Sequence, residues 1–305
     1  MSPIEKLKGV LVALASPLRH DGTVDPDGVK RLIEHVLGGG VHGVLALGST
    51  GETASLDEPA RRELLAAVVD AVNGRVPVLC GVAQSQLSTA VAEVEAAARA
   101  GADGVLVAPP FYYPTDQAGV AAFYRAVAER ASLPVLVYNI PQFTKVAVDP
   151  STVALLAREG AIRGIKDSSR DFEYFEGVCI ATRDQERFRI FTGSDSMLVP
   201  SLAVGGAGTI CGAGNIAPGW VVSIYNDYMR GDVGSAVKTQ DELYRLVMSI
   251  RVGVFPAAVK AALYLQGVCE PWTAPPTTRL DASLEASLRE QLAEWGLLTP
   301  ERSRH

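Results

Sequence analysis

The chain has 305 residues, of which 48% are hydrophobic and 20% are charged, a composition typical of a soluble globular protein with an ample core. Its formal net charge of −6, without any cluster of lysine and arginine, argues against a nucleic-acid surface. Neither a signal peptide nor a membrane span is expected, because a charged start followed by an apolar stretch is missing, as is a run of about 18 apolar residues.

The cysteines and histidines limit the chemistry further. Four widely scattered cysteines form no C-x-x-C pair: Cys80, Cys179, Cys211 and Cys269. We therefore expect reduced thiols in a cytoplasmic protein. The four histidines show no metal-ligand spacing: His20, His35, His42 and His305. A metal-dependent mechanism is therefore not expected.

Eight short runs rich in valine, isoleucine, leucine and alanine recur along the chain. They span residues 10–17, 43–50, 76–82, 104–110, 134–141, 162–169, 188–195 and 207–215. Each run is apolar throughout rather than alternating, which is typical of strands that are covered on both faces. The pattern therefore predicts a parallel sheet.

Segments with helical periodicity separate several of these runs. They span residues 27–37, 57–72, 89–100, 116–131 and 150–159. The second has a capping residue, Asp57, and a proline in its first turn, Pro59. Gly101 and Gly160 follow two others, as is common at the end of a helix.

Strands that alternate with helices predict a (β/α)₈ barrel (a TIM barrel), and a doubly wound open sheet is the alternative. Further helical patterns cover residues 218–230, 233–251, 254–267 and 283–295. A barrel needs only one helix after its last strand. We therefore predict a barrel domain over residues 1–230 and a C-terminal helical extension over residues 231–305.

Lys166 stands near the end of the sixth apolar run, and barrel enzymes collect their chemistry at the carboxyl ends of the strands. Burial disfavours an ammonium, and a neutral amine can form a Schiff base with a ketone or aldehyde. The alternative is a lysine with a buried stem whose ammonium reaches solvent or Asp167. The other strand ends supply hydroxyls and phenols, without a cysteine–histidine dyad.

Three motifs then stand out in order: GSTGE at residues 48–52, YNIP at residues 138–141 and GIKD at residues 164–167. With these motifs the sequence resembles the dihydrodipicolinate synthase / N-acetylneuraminate lyase family of pyruvate-dependent class I aldolases. The likeness covers nearly the whole chain.

The resemblance implies a role for each matching residue. Lys166 would form the imine with pyruvate or another 2-oxo acid, so that no other cofactor is needed. Tyr138 would be the general acid/base and Ser49 a relay hydroxyl. Tyr112 matches a tyrosine that, in the family, enters from the neighbouring subunit. The resemblance therefore implies a homo-oligomer, most simply a dimer of dimers (a homotetramer).

The substrate's carboxylate would lie, by the same resemblance, against Thr50 and the backbone N–H groups of residues 49 and 50, and the backbone carbonyl of Ile210 would face the site.

The residues alone leave simpler interpretations of two of these features open. The GSTGE motif could be a turn with a helix cap. Tyr112 could be an ordinary packing aromatic.

The position of Phe143 bears on the second substrate. Dihydrodipicolinate synthases have an arginine there for the carboxylate of aspartate semialdehyde, and a phenyl ring cannot replace its charge-assisted hydrogen bonds. N-acetylneuraminate lyases use an Asp-Glu pair and a serine to hold sugar hydroxyls. Here only Asp195 remains, beside Ser196, and Gly212 stands at the serine position.

The sequence therefore favours an aldolase or dehydratase that acts on a 2-oxo-3-deoxy or 4-hydroxy-2-oxo acid. Asp195, Ser168 and Ser194 would bind hydroxyl groups, and Phe143 with residues 252–255 would form an apolar wall. The alternatives are 4-hydroxy-tetrahydrodipicolinate synthase, an enzyme similar to N-acetylneuraminate lyase and, more remotely, a non-catalytic ligand-binding relic.

Overall fold

A computed structural model describes residues 7–298 of the chain. Its eight strands are β1 (Gly9–Ala13), β2 (Gly43–Ala46), β3 (Val78–Val82), β4 (Gly104–Val107), β5 (Val135–Asn139), β6 (Gly164–Asp167), β7 (Arg189–Thr192) and β8 (Gly208–Cys211). All pairings are parallel, neighbours in sequence are neighbours in space, and β8 pairs with β1. The predicted (β/α)₈ barrel is confirmed, and the open sheet is wrong because no strand is left at an edge.

Helices follow the strands and continue beyond the last one. They are α1 (Pro26–Gly38), α2 (Glu58–Val72), α3 (Leu87–Arg99), α4 (Gln117–Arg130), α5 (Pro141–Thr144), α6 (Pro150–Arg158), α7 (Phe172–Ala181), α8 (Leu198–Ala203), α9 (Pro218–Met229), α10 (Val233–Ser249), α11 (Ala257–Leu265) and α12 (Ala282–Glu294). None of the helices within residues 7–298 is long and apolar enough to cross a membrane.

Several helices begin at the residues that the sequence predicts. The Asp57 side chain accepts a hydrogen bond from the Ala60 N–H at 2.9 Å, and the Asp116 side chain accepts one from the Gly119 N–H at 2.8 Å. Such caps typically contribute about 1 kcal/mol each to stability. Helices α5, α7 and α8 were not predicted from the sequence. Helices α5 and α8 are too short to show a periodicity, and α7 exposes an apolar residue, Ile180, which obscures its apolar face.

The observed strands are shorter than the apolar runs because the runs continue past the hydrogen-bonded ladder. The run at 43–50, for example, contains β2 and the first residues of a loop, and the run at 207–215 contains β8 and a following turn. These loop residues lie at the carboxyl ends of the strands. The sequence thus locates every strand but extends most of them into the site.

The C-terminal helices pack directly on the barrel. Helix α9 follows β8, α10 packs against α9, and residues 257–263 of α11 are all buried. The predicted boundary at residue 230 falls between α9 and α10, where Gly231 has a φ of 85°. The division into two domains stays a prediction. Residues 1–6 of the predicted barrel domain and residues 299–305 of the predicted extension lie outside the described residues.

Two layers of side chains fill the fold. The barrel interior contains mainly leucines, together with two aromatic residues: Leu7, Leu11, Ala13, Leu45, Leu79, Leu106, Ala108, Leu136, Tyr138, Ile140, Phe191 and Ile210. The intervening strand residues, such as Val10 and Val12, face the helices. This alternation follows from the period of two in a strand. It places the Tyr138 ring inside the barrel, next to β6.

Candidate active site

Lys166 and Tyr138 are paired in the register of β6 and β5, so their side chains enter the barrel from adjacent strands. Both are buried, with 4% and 5% of their surfaces exposed. Lys166 Nζ lies 3.4 Å from the Tyr138 hydroxyl oxygen and 4.5 Å from the centre of the Tyr138 ring. The Tyr138 hydroxyl lies 3.1 Å from Ser49 Oγ. Amine, phenol and hydroxyl therefore form one connected chain.

The alternative partner for Lys166, Asp167, is engaged elsewhere. Asp167 Oδ1 accepts from Asn139 Nδ2 at 2.7 Å, and Asp167 Oδ2 accepts from the Ser169 hydroxyl at 2.9 Å. Burial raises the pKa of Asp167, and these hydrogen bonds oppose the rise. Among the ion pairs of residues 7–298, none joins Lys166 to Asp167. The lysine amine therefore faces the barrel interior.

The backbone at Gly193 lies close to the Lys166 side chain. A Cβ built on Gly193 would lie 2.0 Å from Ser168 Oγ and 2.7 Å from Lys166 Cε. Only glycine therefore fits at this position without moving its neighbours. The predicted hydroxyl-binding residue Ser168 is thus beside the lysine, and its backbone N–H donates to the Asn139 carbonyl at 2.8 Å.

The GSTGE motif forms a tight turn after β2. Leu47, which precedes the motif, and Glu52, its last residue, have φ of 58° and 57°, a region that is costly for residues other than glycine. The Gly51 N–H donates to the Gly48 carbonyl at 3.0 Å, which closes the turn. Within residues 7–298, the backbone N–H groups of Ser49 and Thr50 have no acceptor. Together with the buried Thr50 hydroxyl they can bind an anion.

Behind this turn lies a residue that the sequence analysis did not single out. Lys260, on α11, has no exposed surface, and its Nζ donates to Glu52 Oε1 at 3.1 Å and to the Ser16 carbonyl. Glu52 Oε2 accepts from the Ala274 N–H at 2.6 Å. The sequence did contain a signal for this residue, because Lys260 is the single lysine in an otherwise apolar helix. A lysine buried in such a helix needs a buried anion as its partner.

Asp195 lies in the turn after β7 and faces the same space as Thr50. Its Oδ1 accepts from the Ala213 N–H at 3.0 Å. A Cβ built on Gly212 would lie 3.7 Å from Thr50 Oγ1 and 3.9 Å from Asp195 Oδ2, so that no side chain fills the space between them. Burial raises the pKa of Asp195, while the Ala213 N–H and the charge of Lys166 lower it.

A cavity of about 330 Å³ opens beside the hydroxyls of Ser49 and Tyr138. It is lined by Leu47, Ser49, Glu52, Thr53, Ala54, Ser55, Gly81, Val82, Ala83, Ala108, Phe111, Tyr138, Ile140, Phe143, Thr144, Phe255, Pro256 and Thr277. Phe143 and Phe255 form one wall, with ring centres 6.2 Å apart. Among these lining residues only Glu52 is charged, and Lys260 neutralises it. The cavity therefore offers a largely apolar subsite.

Of two further residues singled out in the sequence, Tyr112 lies apart from this cluster, whereas Ile210 belongs to the same barrel interior as Tyr138. Tyr112 is 83% exposed, with a φ of 79°, and its ring packs edge-to-face on Tyr113 at 4.9 Å. The hydrogen bonds of the described residues do not join it to Ser49 or Tyr138. Ile210 lies on β8 with its side chain buried in the barrel interior and pairs in register with Leu11.

Groups with other chemistry are sparse. Within residues 7–298, no three histidine, cysteine, aspartate or glutamate side chains are close enough together to hold a metal ion. All four cysteines are buried and unpaired, and burial raises the thiol pKa of Cys80 to about 12 and those of Cys179 and Cys269 to about 11. These thiols therefore act as small apolar groups rather than as nucleophiles.

Comparisons with known proteins identify the family of the chain. The model of the dihydrodipicolinate synthetase family matches residues 6–294. An uncharacterized DapA-like lyase of Halobacterium salinarum is 38% identical over 292 residues, which cover 96% of this chain and 95% of that protein.

Two solved structures are also similar. A monomeric dihydrodipicolinate synthase variant aligns with a TM-score of 0.94 and 30% identity over 97% of this chain and 99% of that one. YagE, an E. coli K12 prophage protein of the same family solved with pyruvate, aligns with a TM-score of 0.91 and 29% identity over 95% and 99% of the two chains. The chain therefore belongs to the dihydrodipicolinate synthetase family, and it is a lyase.

Proposed function

We propose that this lyase forms a covalent imine between Lys166 and the ketone carbon of pyruvate or of another 2-oxo acid. The observation that supports this most strongly is the buried chain from Lys166 Nζ to Tyr138 at 3.4 Å and on to Ser49 at 3.1 Å. A buried amine beside a phenol has both a nucleophile and a proton carrier within reach of one carbonyl.

The reaction then follows from the chemistry of the imine. Lys166 Nζ adds to the ketone carbon, Tyr138 delivers a proton to the resulting hydroxyl, and water leaves. The iminium accepts the electron pair that is released when the C3–C4 bond of a 4-hydroxy-2-oxo acid breaks, while Tyr138 takes the proton of the 4-hydroxyl. The products are an aldehyde and an enamine, which protonates at C3 and is hydrolysed to pyruvate. In the reverse direction the enamine attacks the aldehyde.

The substrate carboxylate is assigned to the turn after β2. The N–H groups of Ser49 and Thr50 and the Thr50 hydroxyl are available there, and the backbone carbonyl of Ile210 is expected to face the same space. Binding the carboxylate at this point would leave the ketone carbon directed toward Lys166. A 2-oxo acid would then be preferred over a simple ketone.

The substrate that we propose is a 2-oxo-3-deoxy or 4-hydroxy-2-oxo acid, which the enzyme cleaves, forms or dehydrates. Asp195 and Ser168 line the polar side of the site and would bind hydroxyl groups, while Phe143 and Phe255 line the apolar side. Among the described residues, no lysine or arginine lines the cavity near Phe143 to hold a second carboxylate. Synthesis of 4-hydroxy-tetrahydrodipicolinate and cleavage of N-acetylneuraminate are therefore less well supported.

The working enzyme is proposed to be a homo-oligomer in the cytoplasm, with a dimer of dimers as the simplest form. In a single chain the Tyr112 ring is almost fully exposed and its backbone is strained, although the neighbouring Phe111 is held by two hydrogen bonds to Ser85, at 2.7 and 3.0 Å. Such a fixed, exposed aromatic suits contact with a second subunit, where Tyr112 would complete the relay.

The decisive experiment is capture of the imine. The protein is incubated with pyruvate and borohydride, digested, and analysed by mass spectrometry; we expect the adduct on Lys166. A panel of 2-oxo acids and aldehydes then identifies the second substrate, and gel filtration gives the oligomeric state. An adduct that is absent from Lys166, or full turnover by the Lys166→Arg variant, would refute the proposal. Rapid turnover of aspartate semialdehyde with pyruvate, without any turnover of 2-oxo-3-deoxy acids, would overturn the substrate assignment.

A further inference from the structure

The buried ion pair between Lys260 and Glu52 is the strongest feature that the proposed reaction does not use. The two side chains are 0% and 3% exposed. Neither belongs to a strand of the barrel, and 208 positions separate them in the sequence. Because Lys260 is completely enclosed, it cannot touch a substrate. Any effect on the reaction must act through the residues that it holds.

Those residues belong to the turn that we assign to the substrate carboxylate. Glu52 ends the GSTGE motif, and its other oxygen is fixed by the Ala274 N–H at 2.6 Å. Lys260 also binds the carbonyl of Ser16, and the Ser16 hydroxyl donates to the Gly51 carbonyl at 2.6 Å. The last two residues of the motif are thus anchored from α11, from the Ala274 segment and from the loop after β1.

The turn needs such anchors because its own interactions are few. Its internal hydrogen bonds are those from the Gly51 and Glu52 N–H groups to the carbonyls of Gly48 and Ser49, at 3.0 and 3.1 Å. The left-handed backbone at Glu52 persists only where the surroundings hold it. If Glu52 relaxed, the backbone of Ser49 and Thr50 just before it would lose the conformation on which the proposed carboxylate site depends.

We infer that Lys260 is a positioning residue for the carboxylate-binding turn, which it holds through Glu52 and Ser16. This inference rests on the proposed function of that turn. It also gives the predicted C-terminal extension a specific part in the reaction: α11 sets the preference for a 2-oxo acid without touching the acid. A role limited to stability would affect all carbonyl substrates equally.

The test compares two ketones that differ only in the carboxylate. Pyruvate and its neutral methyl ester are each trapped on Lys166 with cyanoborohydride, and the initial capture rates are measured by intact-protein mass spectrometry. The ratio of the two rates is the carboxylate preference. We expect Lys260→Met to lower this ratio at least tenfold, as Thr50→Ala also should. The matched control is Lys238→Met, at an exposed lysine on α10, which should leave the ratio unchanged.

Loss of one partner leaves the other buried and unpaired, which could unfold the protein. The double variant Glu52→Gln/Lys260→Met removes both charges and serves if the single variant does not fold; the same tenfold loss is expected. A folded variant of either kind that keeps the wild-type ratio, or that loses both capture rates in equal proportion, overturns the inference. Failure of the wild-type protein to be captured at Lys166 would instead refute the proposed function.

Discussion

The close approach of Gly193 to Lys166 makes Gly193→Ala a sharp test of the site geometry. The new methyl group would lie 2.0 Å from Ser168 Oγ and 2.7 Å from Lys166 Cε. The Ser168 hydroxyl can rotate away about one bond. Lys166 Cε has no such free rotation, because the lysine amine must stay beside Tyr138. The Cε atom would therefore have to shift by about 0.7 Å, from 2.7 Å to an ordinary contact at 3.4 Å.

The expected magnitude follows from that displacement. A misplacement of about 1 Å in a catalytic group can reduce the rate roughly 100-fold, which corresponds to about 2.7 kcal/mol of activation free energy. For a shift of about 0.7 Å we expect a loss of roughly 10- to 100-fold in kcat. The overpacked methyl group should also lower the free energy of unfolding by about 1–3 kcal/mol.

The assay is exchange of the pyruvate methyl protons in D₂O, followed by NMR, because it reports enamine formation without knowledge of the second substrate. Urea unfolding of the same samples separates lost activity from lost structure. The control is Gly219→Ala, in α9, where a Cβ would meet no atom within 4 Å and alanine should preserve activity. A folded Gly193→Ala enzyme that exchanges protons within threefold of the wild-type rate would refute the reasoning.

Three further variants test other parts of the site. Tyr138→Phe should slow methyl-proton exchange by about 10²- to 10⁴-fold, while pyruvate is still captured on Lys166, though more slowly because Tyr138 also assists loss of water. Asp167→Asn tests the pH dependence of stability by urea unfolding. Burial raises the pKa of Asp167 above 3.8, so that folding favours the protonated carboxyl. The wild-type protein should therefore lose stability relative to this variant as pH rises from 3.8 through the raised pKa. Phe143→Arg should increase the rate with succinic semialdehyde relative to butanal by about 10- to 150-fold, from one charge-assisted hydrogen bond of about 1.5–3 kcal/mol.

Each of these expectations has an outcome that contradicts it. Exchange by Tyr138→Phe within tenfold of the wild-type rate would remove the phenol from the proton chain. A stability difference between Asp167→Asn and the wild-type protein that stays constant from pH 3 to 7 would show that the carboxyl titrates alike in both states. For Phe143→Arg the control is Phe143→Leu, and an equal change in both variants would show that space, rather than charge, governs the second substrate.

The sequence by itself predicted a parallel sheet covered by helices and favoured a barrel over an open sheet, and the pairing of β8 with β1 in the structure decided for the barrel. Strands that are apolar throughout, rather than alternating, are expected to be buried on both faces of their sheet. Helical segments between such strands make a parallel sheet with helices against its faces the simplest arrangement. The lysine, the tyrosine and the GSTGE motif were also visible, because they stand where those runs end. Their association within one site follows from the barrel, which brings all the carboxyl ends of its strands to one rim.

Other parts of the site depend on contacts between distant segments. The pairing of Lys260 with Glu52, the approach of Gly193 to Lys166 and the wall formed by Phe143 and Phe255 each join residues from different loops or helices. No local periodicity encodes such contacts, since they depend on distances of a few ångströms that the register and packing of the whole chain set. The sequence therefore determined which groups reach the rim, whereas only the tertiary structure decided how they are held there.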